Sequence, residues 1–193
     1  MFGTLCGAGP DAIWQEAEGG RGPLLAEAAR TTDLILARRA RVGGTDEPDV
    51  LDDLVTAAGV PILALPPDAS GDLGQTVLVA WNGSREATRA VHDALPLLPA
   101  AKRVTLCAVG DQAGASLEAA AAMLRRHGVA VHSHRVDEPD GNAGEVLLAQ
   151  CSAEGADLLV MGAYGHARLR ELVFGGATRH VLREATLPVL FSS

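Results

Sequence analysis

A group of glycines near the end of the sequence has the spacing of a loop that binds an anion. Gly162-Ala-Tyr-Gly165 follows a buried apolar run, and nine residues separate it from Gly175-Gly176-Ala177-Thr178, which leads into a helical pattern. Glycine lets the backbone approach a ligand closely or adopt positive φ, and the free N–H groups and dipole of a helix N-terminus favour an anion. The alternative is that these glycines serve only tight turns and helix–sheet packing.

Three arginines are close enough to these glycines in sequence to supply positive charge to a phosphate. The alternative for each of them is a solvated place on the protein surface. They are Arg168, Arg170 and Arg179.

Histidines are the usual acid–base groups near neutral pH. His132 and His134 alternate along one predicted strand, but a metal site there lacks a third ligand, and an exposed edge strand explains both. His166 directly follows Gly165 and is either a crevice residue or a surface loop residue. We expect His180, on the last predicted helix, to be structural or exposed.

The motifs of common enzyme classes are absent from the sequence. It contains neither a G-x-S-x-G elbow nor a GxxxxGK[ST] phosphate loop, since its single lysine is Lys102. The acidic segments 45–49 and 136–140 each contain a proline and are expected to be solvated loops rather than paired catalytic carboxylates. We therefore expect a protein that is not an enzyme.

Composition excludes several other classes. A net charge of −8 and 3% aromatic residues oppose nucleic-acid binding, which needs a basic face and stacking side chains. Cys6, Cys107 and Cys151 have no CxxC spacing, which indicates buried thiols in a reducing compartment. The N-terminus does not resemble a signal peptide, and no apolar stretch approaches the roughly 18 residues of a membrane span. These features predict a soluble, cytoplasmic protein.

From residue 76 onward, strand and helix patterns alternate with short connections. The predicted strands are separated by four helical patterns, which indicates an α/β fold with a parallel sheet covered on both faces. The strand segments are 76–81, 103–109, 129–136, 157–165 and 187–192.

The first part of the sequence repeats the second half of this unit. LLAEAARTTDLILA (24–37) is similar to LLAQCSAEGADLLVMG (147–162), and VLDDLVTAAGVPILAL (50–65) is similar to HVLREATLPVLF (180–191). The repeat is partial, since nothing in residues 1–23 matches the first strands of the later unit. We predict a partial repeat over 1–66, a linker over 67–75 and a complete domain over 76–193.

With these segments in view, the sequence resembles the universal stress protein family in its tandem bacterial form. The resemblance covers 76–193 and, less strongly, 12–66. Its specific part is Gly-x2-Gly-x9-Gly, present here as Gly162, Gly165 and Gly175, after a strand and before a helix.

The resemblance implies a doubly wound, Rossmann-like sheet of order 3-2-1-4-5, with its ligand crevice between the strands at 76–81 and 157–165. It implies ATP or another adenine nucleotide there, with Mg²⁺ as an accompanying ion. The implied contacts are Asn82, Ala108, Gly162, Gly165, Gly175, Gly176, Ala177 and Thr178.

Two positions depart from the family pattern. Asn82 replaces the usual aspartate near the adenosine and keeps an acceptor oxygen without the charge. Gly176 stands where the motif has a hydroxyl residue, which removes one phosphate hydrogen bond. The alternative function is therefore a nucleotide-free scaffold of the same fold that acts through protein contacts. An enzyme of the nucleotide α-hydrolase type is a third reading, and slow ATP hydrolysis is left open.

Family members commonly pair through their fifth strands, which implies a homodimer or a pseudo-dimer within one chain. We expect residues 61–65 to lie antiparallel to 188–191, and residues 33–37 to extend the sheet outward. Residues 33–37 would then form an exposed apolar edge. Either a second chain or residues 1–23 cover it, or the chain is a shortened form of a longer protein. The first repeat lacks the glycine motif, so we expect no second site of this kind.

Overall fold

The computed structural model describes residues 16, 18–39, 50–69, 71–110, 116–137, 142–164 and 176–193. Its strands are β1 (Ile35–Arg38), β2 (Ile62–Leu65), β3 (Thr76–Ala80), β4 (Arg103–Val109), β5 (Val131–Val136), β6 (Leu158–Gly162) and β7 (Val189–Ser192). Its helices are α1 (Arg21–Ala29), α2 (Val50–Ala57), α3 (Arg85–Ala94), α4 (Ser116–Arg126), α5 (Ala143–Glu154) and α6 (Gly176–Glu184), with a 3-10 turn at Leu98–Ala100.

Local sequence signals set the ends of several helices. Ser84 caps α3 by accepting the N–H of Ala87, and Asn142 caps α5 by accepting the N–H of Gly144. Helix α5 ends at Gly155, whose φ of 62° is in the left-handed region. Helix α6 begins at Gly176, within the glycine-rich segment that leads into the predicted helix.

All seven described strands form one sheet, in the order β1-β2-β7-β6-β3-β4-β5. The last five strands of this order, from β7 to β5, pair in parallel, so the predicted doubly wound α/β unit of order 3-2-1-4-5 is confirmed. Strand β3 lies between β4 and β6. The two strands that follow β3 along the chain lie on one side of it and the next two lie on the other, so the strand order reverses at β3.

Two apolar cores cover the two faces of the sheet. One contains the inner sides of α3 and α4, with Val91 and Leu124 among the residues that have no exposed surface. The other contains α1, α2, α5 and α6, with Phe191 at its centre. Helices on both faces explain why β3, β4 and β6 consist of continuous apolar runs.

Strands β2 and β7 pair antiparallel, which confirms the predicted pairing of 61–65 with 188–191. The pair β1–β2 and the pair β6–β7 lie on either side of this junction and have matching hydrogen bonds. The N–H of Ile35 donates to Pro61 at 3.0 Å, and the N–H of Leu159 donates to Pro188 at 3.0 Å. This correspondence supports a partial repeat over 1–66, although the division into 1–66, 67–75 and 76–193 stays a prediction.

Asp157 fixes the position where the chain enters β3. Its carboxylate accepts the N–H groups of Gly74 and Gln75 at 2.9 Å and that of Thr76 at 3.2 Å. A carboxylate bound to backbone N–H groups makes charge-assisted hydrogen bonds, which are stronger than neutral ones. This contact sets the start of β3 and hence the position of the loop that follows it.

The sheet ends at β1 on one side and at β5 on the other. His132 and His134 are exposed on β5, as expected for an edge strand. On β1, Leu36 is 65% exposed, and the expected apolar edge is confirmed for the described part of the chain.

Candidate functional site

The candidate site lies where the order of strand addition reverses. Strand β3 pairs in parallel with both β4 and β6, so the carboxyl ends of these strands meet at one edge of the sheet. Ligands of doubly wound sheets occupy the crevice at such a reversal. The described residues at this place are 81–84 after β3, Ala163 and Tyr164 after β6, and the first turn of α6, and we call this region the switch-point crevice.

Side-chain hydrogen bonds hold the loop after β3. The Asn82 Oδ1 accepts the N–H of Ser84 at 3.1 Å, and the Ser84 Oγ accepts the N–H of Ala87 at 3.1 Å. The Trp81 Nε1–H donates to the Ser116 Oγ at 3.1 Å and ties the loop to α4. Asn82 thus stands in a fixed turn, with one lone pair of its oxygen and its amide N–H groups available to a ligand.

Gly162, the last residue of β6, packs against the start of α3. A Cβ at this position would lie 2.5 Å from the Glu86 carbonyl carbon and 2.6 Å from the Ala87 nitrogen. Real Cβ atoms do not approach backbone so closely, so the helix reaches the strand only because the residue is glycine. Helix–sheet packing therefore accounts for Gly162 whether or not a ligand binds.

Tyr164 connects the loop after β6 to two helices. It adopts a positive φ of 53°, which is rare for a large side chain. Its N–H donates to the Thr178 Oγ1 at 3.3 Å, and its hydroxyl donates to the Asp52 carboxylate on α2. Burial and the hydrogen bond to Asp52 raise the pKa of the Tyr164 phenol, while the Arg179 guanidinium acts in the opposite direction.

The start of α6 is packed tightly against α5. A Cβ at Gly144 would lie 2.7 Å from the Ala177 carbonyl oxygen, and one at Gly176 would lie 3.2 Å from the Asn142 Nδ2. The first turn of α6 contains no acidic residue. The positive end of this helix dipole is therefore not neutralised by a side chain of its own first turn, and it favours an anion.

The structure places the predicted site residues unequally. Asn82 lies after β3, Gly162 is the last residue of β6, and Gly176, Ala177 and Thr178 form the first turn of α6. Ala108 is completely buried on β4 in register with Arg135, so its side chain has no surface to offer a ligand. Gly165, His166, Arg168, Arg170 and Gly175 lie outside the described residues, while His180 is half-buried and Arg179 is exposed.

Sequence reasoning missed a buried arginine on the opposite side of the molecule. Arg39 is 5% exposed, and its guanidinium donates to carbonyl oxygens at the end of α6, including those of Leu182 at 3.4 Å and Ala185. It borders a cleft of about 820 Å³ that also contains Leu65 and Leu187. The sequence shows only two adjacent arginines, Arg38 and Arg39, after the predicted strand at 33–37. Such a pair is typical of a charged surface loop and does not predict burial.

The two described cysteines are free and buried. Burial, with a smaller contribution from Glu154, raises the pKa of the Cys107 thiol to about 11. Burial, followed by Cys107 and Glu154, raises that of Cys151 to about 12. Such thiols stay protonated and unreactive near neutral pH.

Two further features are absent from the described part of the chain. No three histidine, cysteine or carboxylate residues gather there in a way that could hold a metal ion. None of the helices described above has the length and apolar character needed to cross a membrane.

Comparison with known proteins gives a family match. A model of the universal stress protein family matches residues 74–192, which is more than half of the sequence. The chain is 46% identical over 50 residues to the universal stress protein Slr1230 of Synechocystis, a match that covers 26% of this chain and 17% of that protein.

Solved structures match over most of the chain. A universal stress protein from Archaeoglobus fulgidus superposes with a TM-score of 0.72 at 21% identity, covering 89% of this chain and 66% of that one. The functionally unknown protein PA1789 from Pseudomonas aeruginosa gives a TM-score of 0.59 at 18% identity, covering 91% and 68%. At these identities the structural likeness shows the fold alone. The chain thus matches less than two thirds of the length of the Synechocystis and Archaeoglobus proteins.

Proposed function

Because the chain belongs to the universal stress protein family, we propose that it binds an adenine nucleotide, ATP or AMP, in the switch-point crevice. The observation that carries this proposal is the meeting of three elements at one edge of the sheet. Strand β3 pairs beside β6, Tyr164 after β6 hydrogen-bonds Thr178 in the first turn of α6, and that turn contains no acidic residue. Nucleotide occupancy would act through a conformational response or through a partner.

Each described residue of the crevice has a distinct part in this proposal. The backbone amides of Gly176, Ala177 and Thr178 would bind phosphate at the helix N-terminus. Asn82 would offer its carboxamide to the adenosine, because the hydrogen bond to Ser84 occupies only one of its lone pairs. A magnesium ion would neutralise phosphate charge.

The same residues favour binding over catalysis. The hydroxyl oxygens of Ser84 and Thr178 accept backbone N–H groups. An activated hydroxyl nucleophile would instead need a neighbouring base to take its proton. We therefore propose a binding module that signals, rather than an enzyme.

Isothermal titration calorimetry with ATP and AMP, with and without Mg²⁺, tests this function on the full chain. We expect micromolar binding that is lost in Gly165→Val, a position of the predicted glycine loop. Asn82→Asp should tighten binding roughly fivefold, since a charged acceptor makes hydrogen bonds about twice as strong. Thr186→Val, an exposed position next to β7, serves as a control that should leave affinity unchanged. The absence of heat at millimolar nucleotide would refute the proposal.

A nucleotide-free scaffold is the second candidate, and two observations favour it. Gly162 is needed for the packing of α3 against β6, and Ala108 has no exposed surface. On this account the glycines are architectural, and the protein acts through contacts with other proteins. Calorimetry without binding, together with a folded and stable chain, would favour the scaffold.

The assembly and location that we propose follow from the same features. We propose a pseudo-dimer within one chain in place of pairing between two copies, and the antiparallel pairing of β2 with β7 supports it. The buried free thiols of Cys107 and Cys151 suit a reducing compartment, and we propose the cytoplasm.

A further inference from the structure

Strand β1 has an open outer side within the described part of the chain. The N–H groups of Ile35 and Arg39 donate toward β2. Because neighbouring residues of a strand point their backbone groups to opposite sides, Leu34, Leu36 and Arg38 direct theirs outward. Leu34 is 38% exposed and Leu36 is 65% exposed. Open backbone groups beside apolar side chains form a template for another strand.

In the second half of the sheet, β6 is the counterpart of β1, and β3 occupies the side of β6 that corresponds to the open side of β1. Leu36 pairs with Leu63 on β2, and Val160 pairs with Leu190 on β7, so Leu36 corresponds to Val160. Val160 has no exposed surface: β3 lies beside it with Val79 in register, and both residues belong to the core that α3 covers. The second half thus shows that this side of the strand accepts a parallel apolar strand.

The residue that holds such a strand is also present at β1. Asp157 stands directly before β6 and accepts the first N–H groups of the chain at β3. Asp33 has the same place relative to β1 and the same sequence context, Asp-Leu. It is exposed and accepts no hydrogen bond from any described residue. The carboxylate is therefore available to bind the first amides of an added strand.

We propose that the edge of β1 binds an extended segment of another protein, which adds to the sheet as a strand parallel to β1. Its first backbone N–H groups would bind the Asp33 carboxylate, and apolar side chains at alternate positions would cover Leu36. Arg38, exposed at the far end of β1, suits an acidic residue just after the added strand. Main-chain hydrogen bonds supply affinity and the side chains supply selectivity, as in other cases of strand addition.

A peptide with the sequence of residues 74–84, which forms β3 in this chain, is the probe. Fluorescence anisotropy of the labelled peptide with the full chain should give a dissociation constant on the order of tens of micromolar. Asp33→Ala and Leu36→Lys should each weaken binding at least tenfold. The matched controls Asp137→Ala, after β5 at the opposite edge of the sheet, and Leu97→Lys, just after α3, are exposed and should leave binding unchanged. No binding at millimolar peptide, or equal losses in the controls, would overturn the proposal.

Disulfide crosslinking tests whether the added strand is parallel and in the proposed register, and whether a second copy of the chain covers β1 instead. In a Cys6→Ser background with oxidised glutathione, Leu36→Cys should form a disulfide with a peptide carrying cysteine in place of Val79. It should react at least tenfold more slowly with a peptide carrying cysteine in place of Val77. Rapid formation of a Leu36→Cys homodimer without peptide would show that a second copy covers the edge. That outcome, or equal rates for the two peptides, would overturn the proposal.

Discussion

Leu63 and Leu190 lie directly opposite each other at the centre of the antiparallel pair of β2 and β7. A local twofold relation through this pair superimposes β1 on β6 and places Asp33 where Asp157 stands. The two aspartates differ in one respect. Asp157 binds the start of a strand, whereas Asp33 is exposed beside an open edge. Because the two aspartates have equivalent places in the sheet, substituting each of them compares a structural role with a binding role.

Removal of the Asp157 carboxylate should destabilise the fold. Asp157→Ala leaves the N–H groups of Gly74, Gln75 and Thr76 without their acceptor, and we expect a loss of about 2–4 kcal/mol in the free energy of unfolding. Asp33→Ala, its counterpart, should change stability by no more than about 0.5 kcal/mol. Urea denaturation of both variants measures the difference. Similar losses in the two would contradict the assigned role of Asp157.

Arg39 should stabilise the end of α6. Arg39→Met removes a buried cation from carbonyl oxygens at a helix C-terminus, where the dipole favours positive charge, and we expect a cost of about 2–4 kcal/mol. The neighbouring Arg38 is exposed, so Arg38→Met should cost no more than about 0.5 kcal/mol. Chemical denaturation at equal ionic strength compares them. An equal effect in both variants would show that the carbonyl contacts contribute nothing.

Gly162 should tolerate no side chain. In Gly162→Ala the new Cβ meets the backbone of Glu86 and Ala87, so α3 must shift from β6, and we expect a loss of about 3 kcal/mol. Gly176→Ala places its Cβ 3.2 Å from a side chain and improves helix propensity, so the net change should stay within about 1 kcal/mol. Thermal unfolding followed by circular dichroism distinguishes the two. A neutral Gly162→Ala would refute the packing role.

The buried thiols should make the fold sensitive to alkali. Folding raises the pKa of Cys151 from 9.0 to about 12, so thiolate forms first in the unfolded chain. The stabilising contribution is complete below pH 9 and is lost as pH rises toward 12, at up to about 1.4 kcal/mol per pH unit for one thiol. Urea titrations at pH 7, 9 and 10 on the native chain and on Cys151→Ala measure it. Parallel pH curves for the two proteins would contradict this prediction.

The architecture could be predicted from the sequence because each element has a strong local pattern. Continuous apolar runs predicted β4 and β6, and the repeated order of helix, proline and strand predicted α2 and β2 as counterparts of α6 and β7. Hydrophobic patterning and internal similarity predicted the elements and the partial repeat, whereas the strand order came from the family resemblance.

The details of the site depend on long-range contacts that no local pattern encodes. Arg39 is a loop residue by sequence, and only the packing of β1 beside α6 buries it against the helix end. Tyr164 reads as the middle of a glycine loop, and its bonds to Asp52 and Thr178 arise from the fold. Gly162 matched a ligand-binding pattern, yet its close contact is with α3. A pattern of residue types predicts which interactions a side chain can make, but not which residue of the folded chain it contacts.

The central claim is tested most directly by locating the bound nucleotide. Titration of the ¹⁵N-labelled chain with Mg-ATP, followed by NMR, should shift the amide signals of Ala177 and Thr178 and of the loop after β3. The amides of Leu36 on β1 and Leu187 beside the opposite cleft should stay in place. Saturable shifts confined to the switch-point crevice are the predicted result. Shifts centred on the cleft beside Arg39, or none at millimolar nucleotide, would contradict the account.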